Sequence, residues 1–339
     1  MVTIKDVAQK AQVSVATVSY VLNNRSDQVG EATRRRVLAA VDALGYSRDS
    51  RARSLRTRTS HLIGYAWHEL PEGHINPIWD RFLYRMAAAA EARGYHVLTF
   101  AQTLHDPVSV YQELIKTSRV DGFIISWTTR YDVRVKALME LEFPFVTFGR
   151  AASEWDFPWI DIDGKAGIRV VTEHLIQRGH RRLALLAWPE NSMSGEYRFE
   201  GYRDALAAKN IPFNPRLVVR GEHSEAFGYK ATTAMLELPP HKRPTGIIAL
   251  SDLMALGAMS AIEAAGLRPG HDIAVTGFDN TPMAQYLRPP LTSVRQPMSI
   301  VGQYATEMLI ALIENEPLEK RQVLIQPELI VRASSGGQR

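Results

Sequence analysis

The chain has no cysteine among its 339 residues. That excludes thiol catalysis, cysteine-ligated zinc, iron–sulfur clusters and a disulfide framework, and it fits a reducing compartment. The sequence also lacks long apolar runs: no uncharged stretch approaches the ~18 residues of a membrane-spanning helix. A secretory leader is not expected, because Lys5 and Asp6 stand where one would be apolar. Neither common Gly-rich phosphate loop occurs, and there is no serine nucleophile elbow. His68, Glu69 and His74 have the wrong spacing for two zinc ligands on one helical face, and Pro71 and Gly73 forbid that helix. Asp161 and Asp163 would share a face if they lay on a strand, but no acid–base partner is evident. No catalytic constellation and no cofactor are expected.

What is present is 45% hydrophobic and 22% charged, enough chain for two or three domains at about 150 residues each. The net charge of +4 is unevenly placed: residues 1–60 carry 11 Lys/Arg against 5 Asp/Glu, the rest 29 against 31. A basic head on a near-neutral body suits a module that binds a polyanion, with a solvated basic tail as the alternative.

Periodicity argues against a tail. Thr3 is a plausible N-cap with Asp6 three residues on, and Ile4, Val7, Ala8 and Ala11 follow at helical spacing. After a break at Gln12 and Val13, Ser14 can cap a second helix carrying Thr17, Val18, Val21 and Leu22. A third runs from Glu31 to Leu44 with Val37, Leu38, Val41 and Leu44 on its inner face, and Gly45 ends it. Two short helices with a tight break and a third in support predict a helix-turn-helix, a small structural bundle being the alternative. In that motif the start of the second helix meets base edges. Val15 and Ala16 would touch thymine methyls, Tyr20 would stack or hydrogen-bond, and Ser14, Thr17, Ser19 and Asn23 would reach phosphates, with Thr3 in the same DNA-facing set. Residues 46–58 then hold five arginines, at 48, 51, 53, 56 and 58. This segment reads either as a flexible basic linker or as a helix formed on DNA, with Arg53 and Arg56 on phosphates and Leu55 wedged into the minor groove.

The remainder alternates strand-like runs (61–67, 96–101, 122–127, 145–148, 183–188, 217–220, 246–250, 273–278) with amphipathic helices such as 79–93, 164–177, 200–209 and 252–265. This predicts α/β architecture with parallel sheets, and too many strands for one ordinary sheet. Ligands in such folds bind beyond the carboxyl ends of the strands. There stand His68, Glu69, Trp127, Arg150, Glu222, His223, Ser251, Asp252 and Asp279. Carboxylates, arginine and indole suit a polyol, through bidentate hydrogen bonds to hydroxyls and apolar cover for a sugar's C–H face. Asp252 reads as a helix cap ahead of a ligand contact, and Trp127 equally as core.

The opening TIKDVAQKAQVSVATVSYVLNN closely resembles that of the LacI/GalR transcriptional repressors, as does Tyr46 followed by Ala52-Arg53-Ser54-Leu55. The likeness continues through Asn76-Pro77, Val120-Asp121-Gly122, His174-Leu175, Gly179-His180, Arg198 before Gly201-Tyr202, Ser251-Asp252, Gly277-Phe278-Asp279-Asn280, Pro290-Leu291-Thr292 and Arg332-Ala333-Ser334-Ser335. One departure is Arg48, where these proteins usually carry a hinge proline.

The resemblance implies a cytoplasmic, ligand-responsive regulator of near-palindromic operator DNA: a helix-turn-helix head (1–46), a hinge (47–60) and a two-lobed periplasmic-binding-protein-like core with two doubly wound parallel sheets (61–339). It places lobe 1 at about 61–162 and 292–321, and lobe 2 at about 163–291 and 322–335. It implies no enzymatic activity and no membrane partner. It assigns effector contacts to Arg198 and Asp279 foremost, then Gln296, His223 and Asn76, with Trp127, His68 and Trp67 weaker; Trp155, Phe157 and Trp159 are left out of the site. The effector expected is a mono- or disaccharide. A homodimer is expected, since no terminal heptad helix follows Ser335. A solute receptor and a sugar-processing enzyme are the alternatives.

Overall fold

The computed structural model describes residues 2–22, 29–46, 59–67, 78–102 and 105–336. Internal contacts divide the chain into two units, Met1–Ser60 and His61–Arg339.

The first unit contains α1 (Ile4–Ala11), α2 (Val15–Leu22) and α3 (Glu31–Leu44). The Asp6 carboxylate starts α1 by accepting the Thr3 backbone N–H at 2.7 Å and its hydroxyl at 2.8 Å. Gln12 turns the chain in the left-handed region at φ 54°. Ser14 restarts it, its hydroxyl oxygen accepting the Thr17 N–H at 3.1 Å. Val7, Ala8, Ala11, Val18, Val21, Val37 and Ala40 form the core. Leu38, expected on the inner face of α3, is instead 41% exposed. At about 100° per residue it lies a quarter-turn away from the face shared by Val37, Val41 and Leu44, and Ala40 takes the buried place.

The second unit has two sheets. The first comprises β1 (Leu62–Trp67), β2 (His96–Ala101), β3 (Gly122–Ile125), β4 (Phe145–Phe148), β5 (Trp159–Ile162) and, much later in the chain, β11 (Gln322–Ile325). Their order is β11-β5-β4-β3-β1-β2, all parallel. The second comprises β6 (Leu183–Ala187), β7 (Val218–Arg220), β8 (Gly246–Ala249), β9 (Ala274–Asp279), β10 (Thr292–Arg295) and β12 (Glu328–Ile330). Its order is β12-β10-β9-β8-β6-β7, parallel except where the edge strand β12 runs antiparallel to β10.

Helices cover both faces of each sheet. In β3, Ile124 enters one apolar cluster while Phe123 and Ile125 enter another; in β8, Ile248 separates in the same way from Ile247 and Ala249. The first lobe carries α4 (Ile78–Ala92), α5 (Ser109–Lys116), α6 (Val133–Glu140) and α11 (Met298–Ile313), with α11 packed on α4. The second carries α7 (Gly164–Gln177), α8 (Met193–Ala208), α9 (Glu225–Leu236) and α10 (Asp252–Ala264). At the crossing of α7 and α8 a Cβ on Gly201 would stand 2.1 Å from the Lys165 carbonyl oxygen, so only glycine allows this approach. No described helix is long and apolar enough to cross a membrane.

The α/β fold and its two parallel sheets are as expected. The lobe boundaries need correction. The chain crosses after β5 as anticipated near 162, but residues 292–295 form β10 in the second sheet, so the next crossing falls between β10 and α11 rather than near 291. Residues 322–325 form β11 in the first sheet, so the last crossing falls between β11 and β12. These strands have three or four residues and gain their place from partners far away in sequence, so local pattern does not announce them.

Candidate functional site

In the head, Val15 is 40% and Tyr20 36% exposed, an unusual place for such side chains on a packed helix. Ala16 is exposed beside them, and Thr17 and Ser19 are half-buried. Ser14 and Thr17 share a hydroxyl–hydroxyl hydrogen bond of 2.8 Å, and Thr3 is engaged with Asp6, so these three groups also hold the helix starts. Tyr46 packs half-buried against the head core. Asn23, Arg48, Arg53, Leu55 and Arg56 lie outside the described residues, as do His68 and Asn76 of the expected effector site.

The core unit encloses a cavity of about 340 Å³ between its lobes. It lies beyond the carboxyl ends of the strands of both sheets, where an open α/β sheet binds its ligand. From the first lobe come Trp79 at the start of α4, Trp127 after β3, Phe148 at the end of β4 and Asp161 on β5. From the second come Trp188 after β6, Arg198 on α8, Glu222 and His223 after β7, and Asp279 at the end of β9. Gln296 joins them from the crossing after β10.

The walls are aromatic. Trp79 and Trp127 stack at 5.4 Å, and His223 lies 6.2 Å from Trp127 and 5.5 Å from Trp188, so one imidazole spans indoles of the two lobes. Arg198 is 4% exposed, with its guanidinium 4.4 Å from the Trp188 ring and 3.6 Å from the Phe278 ring. It donates to the Leu250 carbonyl at 2.6 Å. Gly164 leaves room for it: a Cβ there would meet Arg198 Cγ at 2.9 Å. Burial lowers the guanidinium to about 10, against the pull of the Asp279 and Asp161 carboxylates, so it stays charged at neutral pH.

Three buried N–H donors of lining residues have no partner among the described residues: Trp79 Nε1, Trp188 Nε1 and Arg198 Nε. Buried donors are normally satisfied, so these three stand out. Acceptors of the protein's own stand opposite. Asp279 accepts from Gln296 Nε2 at 2.6 Å, and its carboxyl is raised by burial and by the negative charge of Asp252. Asp161 is also raised by burial, opposed by Arg150, which donates to it at 2.8 Å. Asp163, its neighbour on the sequence, instead caps α7 by accepting the Ala166 N–H.

Trp127, Arg198, His223, Asp279 and Gln296 are thus brought together. Asp252 is not among them. One of its oxygens accepts the Ser293 hydroxyl at 2.5 Å and the other the Thr281 N–H at 2.6 Å, while Ser251 is the cap of α10. Its two acceptors are spent on bracing the chain just after Asp279. Sequence reasoning missed Trp188 and Trp79. The strand-end rule that found Trp127 applies equally to Trp188, which was read as part of its strand; Trp79 opens a helix and follows no strand directly. Among the described residues no group of three or more His, Asp or Glu gathers to hold a metal.

Residues 3–49 match the profile of bacterial regulatory proteins of the lacI family, and residues 172–335 that of a periplasmic binding protein-like domain. The chain is 34% identical over 342 residues to the transcriptional repressor PurR of Aliivibrio fischeri, covering 98% of each. It is similar to a transcriptional regulator CelR–cellobiose complex, at 30% identity and TM-score 0.76 over 98% of this chain and 100% of that one. It is also similar to the lac repressor dimer bound to operator and an anti-inducer, at 29% identity and TM-score 0.85 over 99% of each.

Proposed function

The chain belongs to the LacI family of bacterial regulatory proteins, and from that premise we propose a cytoplasmic homodimeric repressor whose hold on operator DNA is controlled by a mono- or disaccharide bound between its lobes. Residues 1–46 form the DNA-reading head and 47–60 its connection to the core. We assign it no catalytic role. In a dimer, two copies of α2 would enter successive major grooves roughly 34 Å apart, which calls for a near-palindromic site. Val15, Ala16 and Tyr20 would read base edges, while Ser14, Thr17 and Ser19 steady the helix on phosphates.

One observation carries the ligand half of this reading. Three indoles wall a cavity, and three of its lining residues carry a buried donor left unpaired among the described residues. A sugar offers both things at once, apolar C–H faces for the indoles and hydroxyl oxygens for the donors. Its hydroxyl protons would go to Asp279, Glu222 and Asp161, and Asp279 and Arg198, both lining the cavity, would together hold neighbouring hydroxyls. Because the walls come from both lobes, a bound sugar favours one lobe orientation over another, and that difference in affinity is what shifts the equilibrium. Release from the operator is the proposed outcome.

The test is a thermal-shift series of mono- and disaccharides on the full chain. A sugar that binds the native state alone raises the melting temperature, in proportion to the logarithm of its excess over Kd. The expected result is a shift for at least one sugar that disappears in Arg198→Ala. A shift fully retained in Arg198→Ala would place the ligand elsewhere.

A further inference from the structure

A second recess lies at the opposite end of the second sheet, among the segments leading into β6, β7 and β8. Its volume is about 560 Å³, larger than the cavity between the lobes. Its floor is apolar: Leu183, Tyr202, Leu206, Ile211 and Leu217. Its rim is cationic: Arg181, Arg182, Arg216 and Lys242, with His241 beside them, and no carboxylate among the described residues lines it. None of these four cations forms an ion pair among the described residues.

Fold maintenance explains only part of this charge. Arg181 donates to the Ile176 carbonyl at 2.7 Å and the His180 carbonyl at 3.1 Å, closing the carboxyl end of α7. Arg182 donates from Nε to the Arg243 carbonyl at 2.8 Å, which fixes the guanidinium and leaves both of its terminal amino groups without partners among the described residues. Arg216 and Lys242 make no side-chain hydrogen bond among the described residues. Four like charges around one recess repel one another, and an anion relieves that repulsion. Planar guanidinium groups suit phosphate oxygens above other anions, because their parallel N–H donors match them in pairs. The apolar floor asks for more than a bare ion: it would bury the face of a ring.

We propose that this recess binds a phosphorylated, ring-bearing small molecule, a nucleoside monophosphate or a sugar phosphate, separately from the ligand between the lobes. Phosphate oxygens would meet Arg182, Arg216 and Lys242, and the ring would lie over the half-buried Ile211, in a recess backed by the buried Tyr202 and Leu206. Those two residues stand on α8, the helix that carries Arg198 into the other cavity one turn earlier. The two sites are therefore joined by one rigid element.

Isothermal titration of the full chain with AMP and with glucose 6-phosphate tests this, with adenosine, glucose and inorganic phosphate as references. The expected result is saturable binding of AMP or glucose 6-phosphate, whichever source fits, tighter than that of its dephosphorylated form and of inorganic phosphate. Binding should fall at least about tenfold in Arg182→Gln/Lys242→Gln, since charge-assisted bonds are lost, and persist in Trp127→Ala. The four substituted or neighbouring cations are exposed, so this variant is expected to keep its melting temperature. The proposal is overturned if neither compound binds, if the double variant binds as well as the native chain, if Trp127→Ala removes binding instead, or if inorganic phosphate binds as tightly. None of these outcomes bears on the sugar-dependent shift, which tests the other cavity.

Discussion

Asp279 holds a backbone φ of 123°, which L-residues rarely adopt, and Trp127 sits in the left-handed region at 55°. Such conformations cost about 1–3 kcal/mol each and persist only where the surroundings impose them. At Asp279 the surroundings are visible: Asn280 N–H donates to Ser293 Oγ at 2.9 Å, and Ser293 and Thr281 are both tied to Asp252. Asp279 also keeps a carboxyl raised by burial and by Asp252. A raised acid binds its proton more tightly in the folded chain than in the unfolded one. Its contribution is therefore full below the unfolded pKa and is lost as pH climbs through the folded value. Asp279→Asn should flatten the fall of melting temperature between about pH 5 and pH 9, and raise stability at the alkaline end, while removing the response to sugar. Parallel melting curves for the two proteins would show that Asp279 is not the titrating group. Trp188→Ala should weaken sugar binding by about tenfold in a titration, because Arg198 loses one of its two covering rings and the ligand loses an apolar wall. Unchanged affinity would remove Trp188 from the site.

At the scale of elements, the loop after β3 depends on a buried ion pair. Arg134 and Asp132 meet at 2.7 Å with side chains 4% and 3% exposed. Arg134 also donates to the Ser126 and Trp127 carbonyls at 3.2 and 3.1 Å, which sets the backbone that presents the Trp127 indole. Arg134→Met should cost about 3–5 kcal/mol in denaturant unfolding, because it strands the Asp132 charge; Asp132→Leu/Arg134→Met should cost clearly less than the sum of the single changes. In the head, Tyr20→Ala should weaken operator binding by about 1–3 kcal/mol with little change in melting temperature, since the ring is not part of the core. Elements of this kind were legible to different degrees. The caps at Thr3, Ser14 and Gly45 bracket the three head helices because capping is local chemistry. Strands such as β1 and β6 announce themselves as apolar runs, since both of their faces are covered. The four strands β5, β10, β11 and β12 do not, because they have only three or four residues, and β11 alternates exposed with half-buried positions. The helix α8 was foreseen only from Glu200 on, since Gly195 and the polar residues around it blur the period; the missed turns include the one bearing Arg198.

For the molecule as a whole, positive charge gathered in residues 1–60 should make operator binding steeply dependent on salt. Between 50 and 200 mM salt the affinity should fall on the order of 10³-fold if about six phosphates are neutralised per complex, and a flat response in an anisotropy titration would argue against a phosphate-gripping head. The charge asymmetry in the sequence marks off a basic head from a near-neutral core, and strand ends with the family resemblance point to residues that line the cleft. How the lobes exchange strands was not legible, because it is set by pairings between residues more than a hundred positions apart. The central claim is that a sugar in the cavity between the lobes controls the hold of the head on DNA. The most direct test is the dissociation constant of the full chain for its operator, at fixed salt, with and without a saturating amount of a sugar that raises its melting temperature. The account predicts that the sugar weakens operator binding by about 5–150-fold, the usual span of coupling between two sites. A sugar that binds the cavity and leaves the operator affinity unchanged would contradict it.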